Sequence, residues 1–175
     1  MRNLTTASRT AWLAGGLIAG LAVAYLWPHE RTYAATADRD TQFMMITVPV
    51  GTSGAGFNDP IEAVFVLDFL TGQLRGAGMN RQVGAFASFY ARDLAKDFEV
   101  DGDADPHYCI VSGYAQMPNA GGISMASGCL YVGELTSGKV AAYAFPWRET
   151  GTGGTIVPLQ PLHTFQFKSP SSKGK

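Results

Sequence analysis

The sequence predicts a mainly β protein: an antiparallel sandwich, barrel or sheet built from two similar three-strand units with one short helix, after an N-terminal transmembrane helix. Three observations lead to this prediction. The 21 glycines and 9 prolines lie between apolar runs rich in branched and aromatic residues, which favours short strands joined by turns. A hairpin pattern occurs twice in the chain. An uncharged apolar segment lies near the N-terminus.

The apolar segment covers residues 11–27 and follows a short basic stretch, residues 1–10, that contains Arg2 and Arg9 but no acid. At about 1.5 Å per helical residue it reaches roughly 25 Å, near the short end of what spans a bilayer. Basic residues before the segment favour a cytoplasmic N-terminus. We therefore expect a single-pass protein of a bacterial inner membrane, with everything after the anchor outside the cytoplasm.

Two other interpretations of this segment stay open. Ala35-Thr36-Ala37 has the small-x-small form of a signal-peptide cleavage site, so the segment could be removed after Ala37. It could also be a buried core helix. If it is an anchor, Gly16 and Gly20 form a small-residue face through which two anchors could pair in the lipid bilayer.

A polar linker, residues 28–42, leads into the predicted β domain, residues 43–147. Residues 43–48 have the composition of a first strand, which Pro49 ends. Residues 50–60 follow as a loop rich in glycine, asparagine and proline, all of which interrupt regular structure.

The hairpin of residues 63–74 is repeated in residues 129–140, 66 positions later. Aligning Gly72 with Gly138 pairs Phe65 with Tyr131, Val66 with Val132, Asp68 with Glu134, Thr71 with Ser137 and Leu74 with Val140. In both copies an apolar run suits a strand, and the glycine supplies the positive φ of a tight loop. Each unit therefore reads as strand, long loop of small residues, and hairpin.

Between the units, aromatic and leucine residues at spacings of three and four predict a helix over residues 91–98, while residues 86–90 fit a strand or a helix. Residues 108–114 read as the first strand of the second unit. The Gly- and Pro-rich tail, residues 148–175, is expected to be partly disordered, with an edge strand over residues 162–167 and disorder from Ser169 onward.

The segment Leu67-Asp68-Phe69-Leu70-Thr71-Gly72 resembles the Leu-Asp-x-x-Thr-Gly core of quinoprotein-type β-propeller blades. Two units cannot close a propeller, which takes about four to eight blades, and the resemblance implies no quinone cofactor. Taken whole, the anchor with its twin hairpins is similar to a group of uncharacterised membrane-anchored bacterial proteins. That resemblance implies a location and a fold but no activity.

The composition limits the functional classes. A formal net charge of -1 provides no basic surface for nucleic acid, and 46% hydrophobic residues exclude a disordered chain. The only cysteines, Cys109 and Cys129, are too few for a disulfide scaffold. They could form one disulfide across neighbouring strands, or remain two separate buried thiols.

The strongest chemical candidate is the acidic run Asp97, Glu99, Asp101, Asp103 and Asp105, with Gly102 at the sixth position. Carboxylates at every second position resemble the first half of a calcium loop. However, Tyr108 occupies the twelfth position, where such a loop has a glutamate that binds calcium through both oxygens. The run is therefore either a calcium site or a solvated connector, and no other cofactor is predicted.

Catalytic chemistry has weak support. His107 is the one histidine inside the predicted domain, and Ser53 in the loop 51–56 is a candidate nucleophile for a hydrolase. That loop lacks the endings of a phosphate-binding loop and of a nucleophile elbow. We therefore expect a non-catalytic, membrane-anchored envelope domain for protein interaction or scaffolding, which contacts its partner through a loop face or an edge strand. A calcium- or ligand-binding module and a hydrolase are the alternatives.

Overall fold

The strands form two sheets that enclose a common core, as in a β-sandwich. A computed structural model describes residues 4–26, 37–52, 60–100, 106–115, 117–118, 123–148 and 150–168. The elements are α1 (Leu4–Leu26), β1 (Ala37–Arg39), β2 (Phe43–Thr52), β3 (Pro60–Asp68), β4 (Gln73–Asn80), β5 (Ala85–Asp93), α2 (Leu94–Asp97), β6 (Tyr108–Tyr114), β7 (Gly128–Glu134), β8 (Lys139–Ala144), β9 (Ile156–Pro158) and β10 (Gln160–Gln166).

The larger sheet, sheet A, has the strand order β1-β2-β3-β4-β5-β9, and the smaller one, sheet B, has the order β10-β8-β7-β6. Neighbouring strands are antiparallel, except that β5 and β9 are parallel. The mainly β fold with two sheets agrees with the prediction.

The helix α1 belongs to a unit of its own, residues 1–33, while residues 34–175 form the other unit. It begins at Leu4, seven residues before the predicted segment, and Trp27 lies outside the described residues. Among the helices of the described chain, none has both the length and the apolar character that crossing a membrane requires.

The two copies of the predicted repeat lie in different sheets. In sheet A, β2, β3 and β4 are consecutive antiparallel neighbours, and in sheet B the same holds for β6, β7 and β8. The internal repeat is therefore a three-strand unit used once per sheet, because each copy supplies the central hairpin of its own sheet.

The hairpin loops of the two copies are closed by amides at equivalent positions. The Asp68 carboxylate accepts from the amides of Leu70 and Thr71, and Gly72 closes the loop with φ of 65°. The Glu134 carboxylate likewise accepts from the amides of Thr136 and Ser137, before Gly138 with φ of 68°.

The loop between β4 and β5 has the same arrangement of acceptor and glycine, although it does not belong to either copy of the repeat. The Asn80 side-chain oxygen accepts from the amides of Gln82 and Val83, and Gly84 has φ of 65°. All three tight hairpin loops in the described chain are therefore built on one local plan: an oxygen acceptor first, and a glycine four residues later.

The aligned strands nevertheless bury opposite faces. Phe65, Leu67 and Leu74 point into the core from sheet A, whereas their counterparts Tyr131, Gly133 and Val140 lie on the outer face of sheet B. The core of sheet B is instead supplied by the alternate positions, among them Leu130, Val132, Ala141 and Tyr143. Since residues 129–132 are apolar on both faces, the sequence pattern does not decide which face is buried.

The helix predicted over residues 91–98 is wrong for its first half. Ala85–Asp93 is a strand paired with β4, and the helix is the single turn Leu94–Asp97. Tyr90 lies between the sheets, where its ring is 4.9 Å from that of Phe145. Tertiary packing and the free edge of β4 therefore outweigh the helical spacing.

The folded unit continues beyond Trp147, where the predicted β domain ended. The expected edge strand is present as β10, which pairs with β8. Ahead of it, β9 pairs with β5 through Ile156 to Pro158, and Leu159 is buried in the core. The segment Ser169 to Lys175 lies outside the described residues.

Candidate binding surface on the outer face of sheet B

The predicted metal ligands that the structure describes are used in ion pairs. Asp97 receives two hydrogen bonds from Arg92, of 2.7 and 2.6 Å, and a third of 2.8 Å from the Tyr143 hydroxyl. Glu99 pairs with Lys139 at 2.9 Å. The described residues contain no cluster of three or more metal-ligating side chains, and Asp101, Asp103 and Asp105 lie outside them.

The Arg92–Asp97–Tyr143 cluster links β5, α2 and β8. Burial raises the pKa of Tyr143, and its hydrogen bond to Asp97 raises it further. The hydrogen bond to Asp97 likewise raises the pKa of Arg92. Arg92 also donates to the carbonyl of Leu159, the residue between β9 and β10. The cluster therefore joins four parts of the domain, and its Asp97 oxygens already have protein donors.

The two cysteines are free thiols on neighbouring strands. Cys109 is opposite Gly133, and Cys129 is opposite Gly113, so the cysteines are four positions apart along the ladder. At about 3.4 Å per residue this separates them by roughly 14 Å, twice the Cα distance that a disulfide tolerates. Cys129 is buried and Cys109 is exposed.

The hydrolase alternative requires a nucleophile beside His107. Ser53 lies outside the described residues, and its described neighbour Thr52 ends β2. Val50 of β2 is hydrogen-bonded to Ser127 at one end of the sandwich, whereas His107 contacts Leu135 at the other. The described residues that lead into this loop therefore lie at the opposite end of the sandwich from His107.

The outer face of sheet B is apolar and uncharged across all four strands. One row runs Cys109, Gly133, Val140 and Phe165, and the next runs Val111, Tyr131, Ala142 and His163. Val111 is 57% exposed, Tyr131 38% and Phe165 59%. Residues 108–133 contain no charged residue at all, a signal that was readable from the sequence.

Two glycines let side chains lie directly on the backbone of this face. A Cβ at Gly133 would lie 2.8 Å from the Cys109 Sγ, and one at Gly113 would lie 2.9 Å from the Tyr131 ring. Real Cβ atoms do not approach other atoms so closely. The glycines therefore leave room for the Cys109 and Tyr131 side chains to pack directly against the backbone of the neighbouring strand.

This face ends in a shallow cavity and in an open strand edge. The cavity, of about 560 Å³, is lined by Arg39, His107, Tyr108, Cys109, Gly133, Leu135, Val140 and Phe167. The edge strand β10 pairs with β8 alone, and all seven of its residues are exposed. Its pairing shifts between Pro161 and His163, so the regular part is His163 to Gln166.

The described flanks of the two Gly-rich loops lie together. The amide of Ser127 donates to the carbonyl of Val50, and Gly128 lies against Pro49. The residues that enter these loops therefore emerge at one end of the sandwich, although residues 53–59 and 119–122 lie outside the described chain.

No protein-family model, curated protein or solved structure matches this chain.

Proposed function

We propose that this protein is a non-catalytic binding domain, held at a bacterial membrane by its N-terminal helix, whose outer face on sheet B receives an extended segment of another envelope protein. The observation that carries the proposal is that aligned strand positions of the two copies lie on opposite faces of their sheets, buried in sheet A and on the outer face in sheet B. The positions that fill the core from sheet A, Phe65 and Leu74, correspond to Tyr131 and Val140 on the uncovered face of sheet B.

An uncovered apolar sheet face next to an open edge fits one kind of partner best. An extended polypeptide can pair its backbone with His163 to Gln166 of β10 and place alternate apolar side chains over Phe165 and Val140. Pro161 lacks an amide hydrogen and limits this pairing to about four residues. A catalytic role has no comparable support in the described part of the chain.

Attachment to the membrane is supported by the character of α1. Its exposed large apolar side chains, Trp12, Leu13, Leu17, Ile18, Leu21 and Val23, are distributed around the helix axis. A helix that is apolar on all sides needs a covering environment. With Arg2 ahead of the helix and Arg9 near its start, both before the apolar run, we propose the cytoplasmic N-terminus and extracytoplasmic β domain described above.

Photo-crosslinking in cells tests the binding surface. A benzoylphenylalanine replaces Phe165 in one variant, and in the matched control it replaces Phe43, an exposed aromatic residue of sheet A. We expect one discrete product at position 165 that contains a second polypeptide, no such product at position 43, and loss of the product when Tyr131→Arg is added. Equal patterns at both positions, or a product that persists with Tyr131→Arg, would contradict the proposed surface.

Alkaline extraction of membranes tests the attachment separately. We expect the chain to stay in the membrane pellet, and Leu17→Arg, which adds about 2.5–3.5 kcal/mol to insertion, to release a large fraction. N-terminal sequencing separates an intact anchor from cleavage after Ala37. Recovery of the intact wild-type chain in the soluble fraction would refute the proposed location.

Calcium binding by residues 97–105 remains the alternative that the structure leaves open. Calorimetry of the full chain with calcium tests it. Heat of binding that disappears in an Asp101→Asn/Asp103→Asn variant would support a calcium module, whereas no heat at millimolar calcium would remove it.

A further inference from the structure

The cavity at the end of the outer face of sheet B has apolar walls and, at one side, a guanidinium and an imidazole. Arg39 of β1 and His107, which precedes β6, provide these two polar groups. The apolar walls are formed by Cys109, Gly133, Leu135, Val140 and Phe167. Leu135 and Phe167 are each 51% exposed. No acidic residue is among the described residues that line the cavity.

Arg39 has hydrogen-bond donors that other described residues do not use. Its guanidinium carbon lies 4.8 Å from the centre of the Phe69 ring, so the ring covers one flat side of the group. None of the ion pairs between described residues involves Arg39. The N–H groups at the edge of the guanidinium are therefore available, in the fork that binds both oxygens of a carboxylate.

The acids next to these lining residues in the chain have other hydrogen-bond donors. The Asp38 carboxylate accepts from the amide of Arg39, and the Asp40 carboxylate accepts from the hydroxyl of Thr41. Glu134, which precedes Leu135, is buried, and both of its oxygens accept from backbone amides. Among the described residues, the Arg39 guanidinium is therefore left without an acidic partner.

We infer that this cavity binds the C-terminal residue of a polypeptide, with its free carboxylate on Arg39 and its apolar side chain against the walls. A C-terminal apolar residue carries the carboxylate and the apolar group on one Cα atom. This matches a cavity in which a guanidinium adjoins apolar side chains. The side chain of an aspartate or glutamate would bring the charge without the apolar group. His107 adds a second ring donor beside the carboxylate.

A polypeptide fits better than a free apolar acid because the cavity is shallow and continues into the rest of the face. Sites for small molecules bury most of the ligand's surface, which a shallow cavity does not do. Phe167 directly follows β10, whose open edge can pair with the backbone of an extended segment. From β10 across β8 and β7 to β6 is about 14 Å, which about four extended residues span. The last residues of a segment at β10 can therefore reach Arg39.

The inference deepens the proposed function and rests on it in one respect. It takes the extended segment that we place on sheet B to be the C-terminal end of the partner. Val140 belongs both to that surface and to the cavity. The cavity can nevertheless bind a C-terminus without any pairing to β10, so the two proposals can fail separately.

Affinity selection from a peptide library tests the inference with the purified full chain. The probe is a library of random hexapeptides with free C-terminal carboxylates, and the matched control is the same library with C-terminal amides. We expect the chain to retain acids that end in an apolar residue, and to bind their amides at least about tenfold more weakly, because a charge-assisted hydrogen bond is lost. Equal retention of acids and amides, or no retention from either library, would overturn the inference.

Arg39→Gln and Arg75→Gln separate the cavity from the general charge of the domain. Both arginines are exposed, and Arg75 lies in β4 of sheet A. We expect Arg39→Gln to weaken binding of the retained peptides at least about tenfold and Arg75→Gln to leave it unchanged. Circular dichroism shows whether each variant is folded, and the comparison of acids with amides needs neither variant. An equal loss in both variants would contradict the assignment of the carboxylate to Arg39.

Decanoate, an apolar carboxylate without a peptide backbone, is the second probe. Binding of decanoate that depends on Arg39, together with no retained peptide acid, would assign the cavity to a fatty acid and overturn the polypeptide as its occupant.

The photo-crosslinked product at position 165 separates this inference from the proposed function. We expect mass spectrometry to find the crosslink within the last residues of the partner chain. A crosslink to an internal segment of the partner overturns the inference and leaves the proposed function standing. Retention of peptide acids without any product at position 165 supports the inference and overturns the proposed function.

Discussion

Glu134→Gln should destabilise the fold much more than Asp68→Asn, although the two carboxylates begin equivalent hairpin loops. Glu134 is fully buried. One of its carboxylate oxygens accepts from the amides of His107 at 3.2 Å and Thr136 at 2.8 Å, and the other accepts from the amide of Ser137. Both oxygens of this side chain therefore face backbone donors.

The expected magnitude follows from counting donors. A glutamine at 134 has one oxygen and one NH₂ group, so its NH₂ must face at least one backbone N–H. One buried donor then loses its acceptor, which costs about 1–3 kcal/mol. At position 68 the two amides of Leu70 and Thr71 share one oxygen, and the other oxygen meets the Thr71 hydroxyl, which can also accept. An asparagine at 68 can make the same hydrogen bonds to these amides, as Asn80 does in the third loop. We therefore expect Asp68→Asn to lower the free energy of unfolding by less than about 0.5 kcal/mol.

Urea unfolding of the full chain in detergent at neutral pH measures both changes, and the pH dependence provides a second measurement. Burial acts to raise the pKa of Glu134, but the hydrogen bonds from Ser137, Thr136 and His107 outweigh it and hold the pKa below its ordinary value. The stabilisation by Glu134 is therefore present above the unfolded pKa of about 4.3 and is lost as the pH falls through the folded pKa. The difference between wild type and Glu134→Gln should shrink over that range.

Two results would refute this reasoning. Equal losses for Glu134→Gln and Asp68→Asn would show that burial of the carboxylate does not matter. A Glu134→Gln difference that stays constant down to pH 3 would show that the ionised carboxylate is not the stabilising form.

Three further predictions concern the cluster, the core and the thiols. Asp97→Asn should cost about 1–3 kcal/mol in urea unfolding, because it leaves the partly buried Arg92 without its charged acceptor; an unchanged midpoint would contradict this role. Gly76→Ala should cost about 1–3 kcal/mol, because its Cβ would lie 2.2 Å from the Phe65 ring. The cost should be smaller in a Phe65→Leu background, which a double-mutant cycle measures. Cys109 should react with a maleimide in the native state and Cys129 only after unfolding, as followed by mass spectrometry; equal rates would contradict the observed burial.

The repeat was predictable because its signal is local. The acceptor at 68 or 134 and the glycine at 72 or 138 fix the loop, whatever the strands pack against. The same rule, applied to Asn80 and Gly84, would have identified the third loop and assigned β5 correctly. The helical spacing from Phe86 to Phe98 was misleading because most of these residues lie in β5. The helix begins only after Asp93, its N-cap, and is a single turn long.

The buried face of sheet B and the partners of Asp97 were not predictable, because both depend on residues that are distant in the sequence. Residues 129–132 are apolar on both faces, and packing against β2 decides that Leu130 and Val132 point inward. Asp97 is held by Tyr143, 46 positions away.

The two copies of the repeat also share a tertiary contact. The amide of Phe69 donates to the carbonyl of Gln42, and the amide of Leu135 donates to the carbonyl of His107, so each hairpin loop is tied to the start of its own unit. The two units are therefore built alike down to these bonds.

Yet their outer faces differ in chemistry, since sheet A carries Glu62 and Arg75 where sheet B carries only apolar residues and one histidine. Sheet A therefore shows that a sheet of this fold tolerates charged residues on its outer face. The fold itself thus does not require the uncharged face around Tyr131, and this is the physical argument for our proposal that a partner binds there.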